Sequence, residues 1–243
     1  MTTLWLSLLI AAVSLLYASV GQAGGSGYLA VMALLGVSPE VMKPTALVLN
    51  VLVATIAMLK FSHAGYFSWA TFWPFAVTSV PAAFVGGALS FSTAVYNMIV
   101  GGVLLYAAFR LFRLTQAAPP TCITPPPLGV ALISGVGVGL LSGFTGIGGG
   151  IVFGPLLLSM RWAETRQTLG MSAAINLTNS AAGLLGHLAS VMALPSAIPL
   201  WAAAAMIGGW VGAEYGGRRF SHLTLQRLLS VVLTIAALKL ILM

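Results

Sequence analysis

The sequence predicts an all-α polytopic membrane protein that consists of two five-element halves, related as an inverted repeat. The 243 residues are 59% hydrophobic and only 5% charged, whereas soluble domains carry about 25% charged residues. Apolar runs such as Leu4–Val20 and Val231–Met243 recur along the chain, which is typical of membrane-spanning helices. A glycine-rich stretch, Gly143–Gly150, has a counterpart at Gly21–Gly27.

Turn and capping signals divide the first half into five helical elements. They are predicted over 4–22, 25–36, 41–60, 69–89 and 92–113. A proline-rich, polar segment follows at Thr115–Pro127, and because proline breaks helices it is predicted to be a linker. The first repeat therefore covers residues 1–114 and the linker covers 115–127.

The second half, residues 128–243, repeats this plan. Its predicted elements lie over 128–145, 147–160, 166–188, 196–217 and 222–242. Setting Gly21 on Gly143 also aligns two further pairs of glycines, which are Gly24 with Gly146 and Gly27 with Gly149. An asparagine and a histidine recur in the same order in the element after the short one, as Asn50 and His63 in the first half and Asn176 and His187 in the second.

The distribution of lysine and arginine decides the relative orientation of the halves. If each glycine stretch makes a re-entrant hairpin, giving about eight full spans plus two half-helices, the halves are inverted. Eight basic residues then share one side and two lie opposite; a simple kink would give parallel halves and a split of six against four. The positive-inside rule favours the inverted arrangement, with the linker in the cytoplasm and both termini outside.

The short elements 25–36 and 147–160 are about 18–21 Å long, too short for a hydrocarbon core of about 30 Å. They are predicted to be half-helices, with N-termini near Gly24 and Ile147 that offer unpaired N–H groups and positive partial charge to an anion. Paired helix breaks at matching points of two halves mark a transporter's substrate site. The predicted substrate-binding residues are Gln22, Gly24, Gly25, Ser26, Gly27, Asn50, Thr145, Gly146, Gly148, Gly149, Gly150, Ser172 and Asn176.

Several of these residues have a second interpretation. The glycines also suit close helix packing, and the two asparagines suit interhelical hydrogen bonds. His63 and His187 are either a proton relay or residues at the membrane interface. Lys43 either steers anions or pairs with Glu40.

Composition excludes other classes of function. The chain has no aspartate and three glutamates, which removes paired-carboxylate catalysis and multi-carboxylate cation sites. The single cysteine, Cys122, excludes an internal disulfide and cysteine-based metal clusters, and the scattered basic residues argue against nucleic-acid binding. We therefore expect no catalytic residue, metal or cofactor; the expected partners are a small anion and the lipid bilayer, with a homodimer left open.

The sequence resembles the TauE/SafE sulfite exporter family. The resemblance is carried by Gly143-x-x-Gly146-Ile147-Gly148-Gly149-Gly150, then Pro155-Leu156-Leu157 and Gly170-Met171-Ser172, with a weaker first copy at Gly21–Gly27. It implies a multi-pass secondary transporter that moves sulfite, sulfonates or sulfoacetate across the bacterial cytoplasmic membrane. The first copy departs from the pattern, since Ser26 and Tyr28 stand where the second has Gly148 and Gly150.

Three functions are therefore weighed. The first is a proton-coupled secondary anion transporter, and the second is a passive anion channel. The third is a rhomboid-like intramembrane protease, because Gly24-Gly25-Ser26-Gly27 matches the G-x-S-G pattern and His63 or His187 would serve as the base. The repeat of the glycine stretch favours the transporter, since a catalytic dyad does not need duplication.

Overall fold

The computed structural model describes residues 2–19, 21–89, 92–114, 123–187 and 194–215, and positions 231, 233–235 and 237–242 near the C-terminus. Within these residues the chain is all-helical. The helices are α1 (Thr2–Ala18), α2 (Gly25–Leu34), α3 (Pro39–His63), α4 (Trp69–Ala88), α5 (Thr93–Leu114), α6 (Leu128–Thr145), α7 (Gly150–Ser159), α8 (Thr165–Gly186) and α9 (Ile198–Tyr215), followed by a C-terminal apolar helix, Leu233–Leu242. Most of the proline-rich linker, together with Cys122, Arg218, Arg219 and Arg227, lies outside the described residues.

Most predicted boundaries shift by one to four residues in the structure, and two of these corrections have a clear physical reason. Helix α7 begins at Gly150 and not at Ile147, because Gly148 and Gly149 both have positive φ angles that a helix does not accommodate. Helix α3 begins earlier than predicted, at Pro39, since proline is well tolerated in the first helical turn. Both changes shorten or lengthen elements without altering their order.

Helices α3 and α8 lie against each other, and the other long helices pack around them. Helix α4 runs along α6 and also contacts α8, while α1 runs along α9, which also contacts α3. The short helices α2 and α7 contact α3 and α8 respectively. Each of the two outer pairs, α4 with α6 and α1 with α9, therefore combines one helix from each half of the chain.

The outer surface of this bundle is apolar. Large hydrophobic side chains such as Ile133, Ile207 and Met98 are more than 60% exposed, and a soluble monomer rarely exposes so much apolar surface. Among the described helices, α3 and α6 are long and apolar enough to cross a membrane by length and composition. The surface is the kind that faces lipid.

Glycines bring α4 and α6 into backbone contact. A Cβ atom on Gly139 would clash with the Ser79 carbonyl, and one on Gly143, a turn later, with the Ala83 carbonyl. Small residues at one-turn spacing allow helices to approach closely where no hydrophobic driving force exists between them. The packing interpretation is therefore correct for Gly143, the first glycine of the predicted motif, which lies inside α6.

We expect Gly139→Ala to lower the melting temperature of the detergent-solubilised protein, because the added methyl group has to separate α4 from α6. Gly137→Ala on the same helix is the matched control, since none of the residues that the structure describes lies within 4 Å of a Cβ at that position and alanine favours the helix by about 1 kcal/mol. Equal melting temperatures for the two variants would contradict the close-packing explanation.

Candidate functional site

Both short helices begin at a glycine in the left-handed conformation. Gly24 precedes α2 with φ 105°, and Gly149 precedes α7 with φ 86°. Glycine adopts this conformation without the steric cost that a Cβ brings. Neither helix has a side-chain hydrogen bond at its N-cap, so the N–H groups of the first turn depend on other partners.

The structure changes the alignment of the two glycine stretches by three residues. Gly21 and Gly146 are the left-handed glycines that follow α1 and α6, and Gly24 and Gly149 are those that precede the short helices. Sequence comparison instead paired Gly24 with Gly146. Glycines recur every third position in both stretches, so the pattern also matches itself after a shift of three.

The first glycine loop, residues 21–25, and the second, residues 146–150, meet at the middle of the bundle. A Cβ atom on Gly25 would clash with the Ile147 carbonyl oxygen and with Asn50 Nδ2, which means that the first loop touches the backbone of the second. Asn50 Nδ2 donates a hydrogen bond to the Gly146 carbonyl at 3.1 Å. Because Asn50 lies near the middle of the 25-residue helix α3, the loops meet at about half the depth of the bundle.

Helix α8 holds the second loop from the other side. The Gly150 N–H donates to Asn176 Oδ1 at 2.9 Å, and Asn176 is near the middle of α8. A Cβ atom on Gly148 would lie 2.6 Å from Asn176 Oδ1 and 2.8 Å from Ser180 Oγ. Asn50 and Asn176 therefore act as interhelical hydrogen-bonding residues and also bring amide groups to the loops.

Sequence reasoning missed three polar residues beside the second loop, Asn179, Ser180 and Ser142. All three are at most 1% exposed, and neither amide atom of Asn179 nor either hydroxyl has a hydrogen-bond partner among the described residues. Buried polar groups are usually paired, so this cluster stands out. A signal for two of them was present in the sequence, because Asn179 and Ser180 follow Asn176 by three and four residues and therefore share its face of the helix.

Other predicted residues stabilise the loops or lie next to them. Thr145 Oγ1 donates to the Leu141 carbonyl at 2.6 Å and accepts from the Ile147 N–H at 3.3 Å. Ser172 is buried and without a partner among the described residues, but it lies beside Gly154, one turn into α7. Gln22 is half-buried in the first loop.

Ser26 and Gly27 pack α2 against α1 and do not point to the second loop. Ser26 Oγ shares a hydrogen bond with Tyr17 OH at 2.8 Å, and a Cβ on Gly27 would contact Val13 and Tyr17. In the corrected alignment Ser26 and Tyr28 pair with Ile151 and Phe153. The predicted asymmetry between Ser26 and Gly148 therefore came from the alignment.

The two histidines predicted as a proton relay lie far from the loops, at helix ends. His63 is exposed, and its Nδ1 contacts the Leu59 carbonyl at 2.6 Å; it follows Asn50 by 13 residues, about 20 Å of helix. His187 Nδ1 lies 3.2 Å from the Gly87 carbonyl, about 16 Å beyond Asn176. The protease hypothesis requires a histidine base beside Ser26. Among the described residues neither His63 nor His187 fills this role, and Ser26 is hydrogen-bonded to Tyr17 instead.

The three glutamates and Lys60 lie at or near the ends of helices. Lys60 pairs with Glu214 of α9 and stands 4.1 Å from the Trp210 ring centroid. Glu40 is in the first turn of α3 and Glu164 is the N-cap of α8. Since these three glutamates are the only acidic residues of the chain, no carboxylate side chain lies where the loops meet.

A bundle of apolar helices in which two broken helices meet at half depth is the arrangement of a membrane transporter. The chain belongs to the sulfite exporter TauE/SafE family, whose sequence profile matches residues 6–240. It is 42% identical over 232 residues to the "Probable membrane transporter protein y4hK" of Sinorhizobium fredii, a match that covers 94% of each chain. No solved structure matches the chain significantly. The predicted family is thus confirmed, and the protein is a membrane transporter.

Proposed function

We propose that this protein is a secondary transporter of small sulfur-containing or organic anions, of the sulfite, sulfonate and sulfoacetate class, across the bacterial cytoplasmic membrane. The observation that carries the proposal is the contact between Gly25 and the Ile147 carbonyl. It places the N-terminal ends of α2 and α7 together near the middle of the bundle. The name of the family supports sulfite as the first anion to examine.

Anion binding follows from the charges and donors at this point. A helix N-terminus carries about +0.5 elementary charge, and the ends of α2 and α7 meet where no carboxylate lies. Asn50 and Asn179 add amide groups that are fully buried. Such uncharged donors favour a transporter, because they stabilise an anion without the strong hold of a buried arginine.

The helix packing supports an internal two-fold repeat, and the distribution of lysine and arginine favours the inverted form of it. If each helix is exchanged with the helix five positions later, the α4–α6 pair becomes the α9–α1 pair, and the α3–α9 pair becomes the α8–α4 pair; each of these pairs is in contact. The α3–α8 pair exchanges with itself. A two-fold axis that lies in the membrane plane and passes between α3 and α8 would place the two glycine loops on either side of one anion. The positive-inside rule then assigns both termini to the outside.

The proposed coupling ion is the proton. His187 is the better placed of the two histidines for a relay, because its Nε2 is buried and has no partner among the described residues, whereas His63 is exposed. At about 16 Å from Asn176 along α8, His187 would pass protons at one end of the route and would not bind the anion at the loops.

The direct test is flux of sulfite, sulfoacetate and thiosulfate in proteoliposomes. We expect at least one of these anions to accumulate against its gradient when a pH gradient is imposed, and an uncoupler to abolish the accumulation. Movement only down the gradient would indicate the passive channel. Absence of flux for all three would contradict the proposed substrate class.

Gly25→Leu is expected to abolish binding of the transported anion at the loops, because the new side chain would occupy the contact between them. Isothermal titration of the purified variant measures this loss. Gly102→Leu is the control, since Gly102 is in a helix and no described residue lies within 4 Å of a Cβ there. If Gly25→Leu binds the anion as well as Gly102→Leu does, the glycine loops are not the site.

A further inference from the structure

Lys43 is a buried cation without a carboxylate partner. It lies near the start of α3 and is only 5% exposed. Its Nζ donates to the carbonyls of Gly87 and Leu89, at 3.0 and 3.3 Å, at the C-terminal end of α4. Among the described residues no carboxylate lies within ion-pair distance, so the predicted pairing with Glu40 is absent. A buried charge without a counter-ion is costly, and the Phe144 ring, whose centroid lies 5.8 Å from Nζ, offsets only part of that cost.

The contacts of Lys43 are exchangeable. The Gly87 carbonyl that receives Lys43 Nζ is also contacted by His187 Nδ1 at 3.2 Å. A carbonyl oxygen that keeps one donor remains satisfied when the second departs. Because His187 stays on this oxygen, the ammonium group of Lys43 can turn to another acceptor without leaving the Gly87 carbonyl unpaired.

Lys43 also adjoins the glycine loop. A Cβ atom on Gly146 would lie 3.1 Å from the Lys43 carbonyl oxygen, and the Gly146 carbonyl accepts from Asn50 at 3.1 Å. Lys43 and Asn50 are seven residues apart, so they share one face of α3 and are separated by about 10 Å. Lys43 therefore lies between the loops and the end of the bundle that holds the termini in the proposed topology.

We propose that Lys43 Nζ forms a second, outer anion subsite of the transporter. A sulfite- or sulfonate-sized anion that moves between the loops and the outside would bind the ammonium group, which exchanges its carbonyl contacts for anion oxygens. The inference rests on the proposed function.

Capping of α4 alone is the rival explanation for the position of Lys43. Lys239 shows what such a cap looks like, because its Nζ donates at 3.0 Å to the carbonyl of Leu34, the last residue of α2.

The test is isothermal titration of sulfite into purified wild-type protein, Lys43→Gln, Lys43→Arg and Lys239→Gln. We expect Lys43→Gln to weaken sulfite binding at least tenfold and Lys239→Gln to leave it unchanged. Lys43→Arg is expected to weaken it about fivefold, because a guanidinium group bonds two carbonyls as a fork and is less easily released.

The outcomes separate this inference from the proposed function. If wild-type protein binds no sulfite, sulfoacetate or thiosulfate, the proposed function fails. If wild-type protein binds sulfite and Lys43→Gln binds it equally, only the outer subsite is wrong. Should Lys43→Gln not give a monodisperse protein, Lys43→Arg decides, since wild-type affinity in that variant contradicts an exchangeable contact.

Discussion

Gly148→Ala is expected to reduce anion transport at least a hundredfold. Gly148 has φ +86°, a conformation that costs an L-residue about 1–2 kcal/mol. The new Cβ would also lie 2.6 Å from Asn176 Oδ1 and 2.8 Å from Ser180 Oγ, closer than carbon and oxygen atoms approach. The loop therefore has to move away from α8, and the N-terminus of α7 moves with it.

The measurement is anion flux in proteoliposomes that contain equal amounts of each variant, with folding checked by size-exclusion chromatography. Gly102→Ala is the control, because its Cβ meets open space and its helix tolerates alanine. Wild-type flux through Gly148→Ala would show that the loop geometry is not needed for transport.

The second large effect is expected from a pair of asparagines on one face of α8. Asn179→Leu should abolish anion binding at the loops and leave the unliganded protein as stable as wild type, or more stable. Both amide atoms of Asn179 are buried without a partner among the described residues, so an apolar replacement removes a desolvation cost of about 1–3 kcal/mol. We infer that the unpaired amide of Asn179 is offset by a hydrogen bond to the anion when the anion is bound.

Asn176→Leu is the matched comparison, one turn earlier. Its Oδ1 accepts the Gly150 N–H, so the substitution leaves a buried donor unpaired and should lower the stability by about 1–3 kcal/mol. Thermal unfolding in detergent, with and without anion, separates the two variants. If Asn179→Leu destabilises the protein as much as Asn176→Leu does, Asn179 serves structure and is not an anion ligand.

The two proposed sites together suggest how this transporter would release its substrate. At the loops the donors are uncharged, and the buried cation Lys43 lies about 10 Å away along α3. An anion held by helix N-termini and amides would then be drawn toward Lys43 in steps, and no single contact would hold it too strongly. The proposed route of the anion from the loops to Lys43 runs along one face of α3.

Much of the fold was readable from the sequence because local chemistry decides it. Apolar runs predict membrane helices, and glycines and prolines end them, so the order and type of the described elements agree with the prediction. The glycine stretches were recognised as helix breaks for the same reason, since a cluster such as Gly146–Gly150 is incompatible with a stable helix. The glycine motif was also sufficient to predict the family, and the family match over residues 6–240 confirms that prediction.

Contacts between distant segments depended on the tertiary structure. The alignment of the two breaks is ambiguous in the sequence, because glycines every third residue match in two registers, and only the φ angles of Gly24 and Gly149 distinguish them. Ser26 turns to Tyr17, and Asn179 lies beside the second loop with no partner in the described part of the chain; both facts depend on which helices pack together. By itself, the sequence determined that the chain is a helical membrane protein with two breaks, since composition and local propensity suffice for that. The packing of α3 and α8 decided which polar groups meet at those breaks, because partner and distance are properties of the folded chain alone.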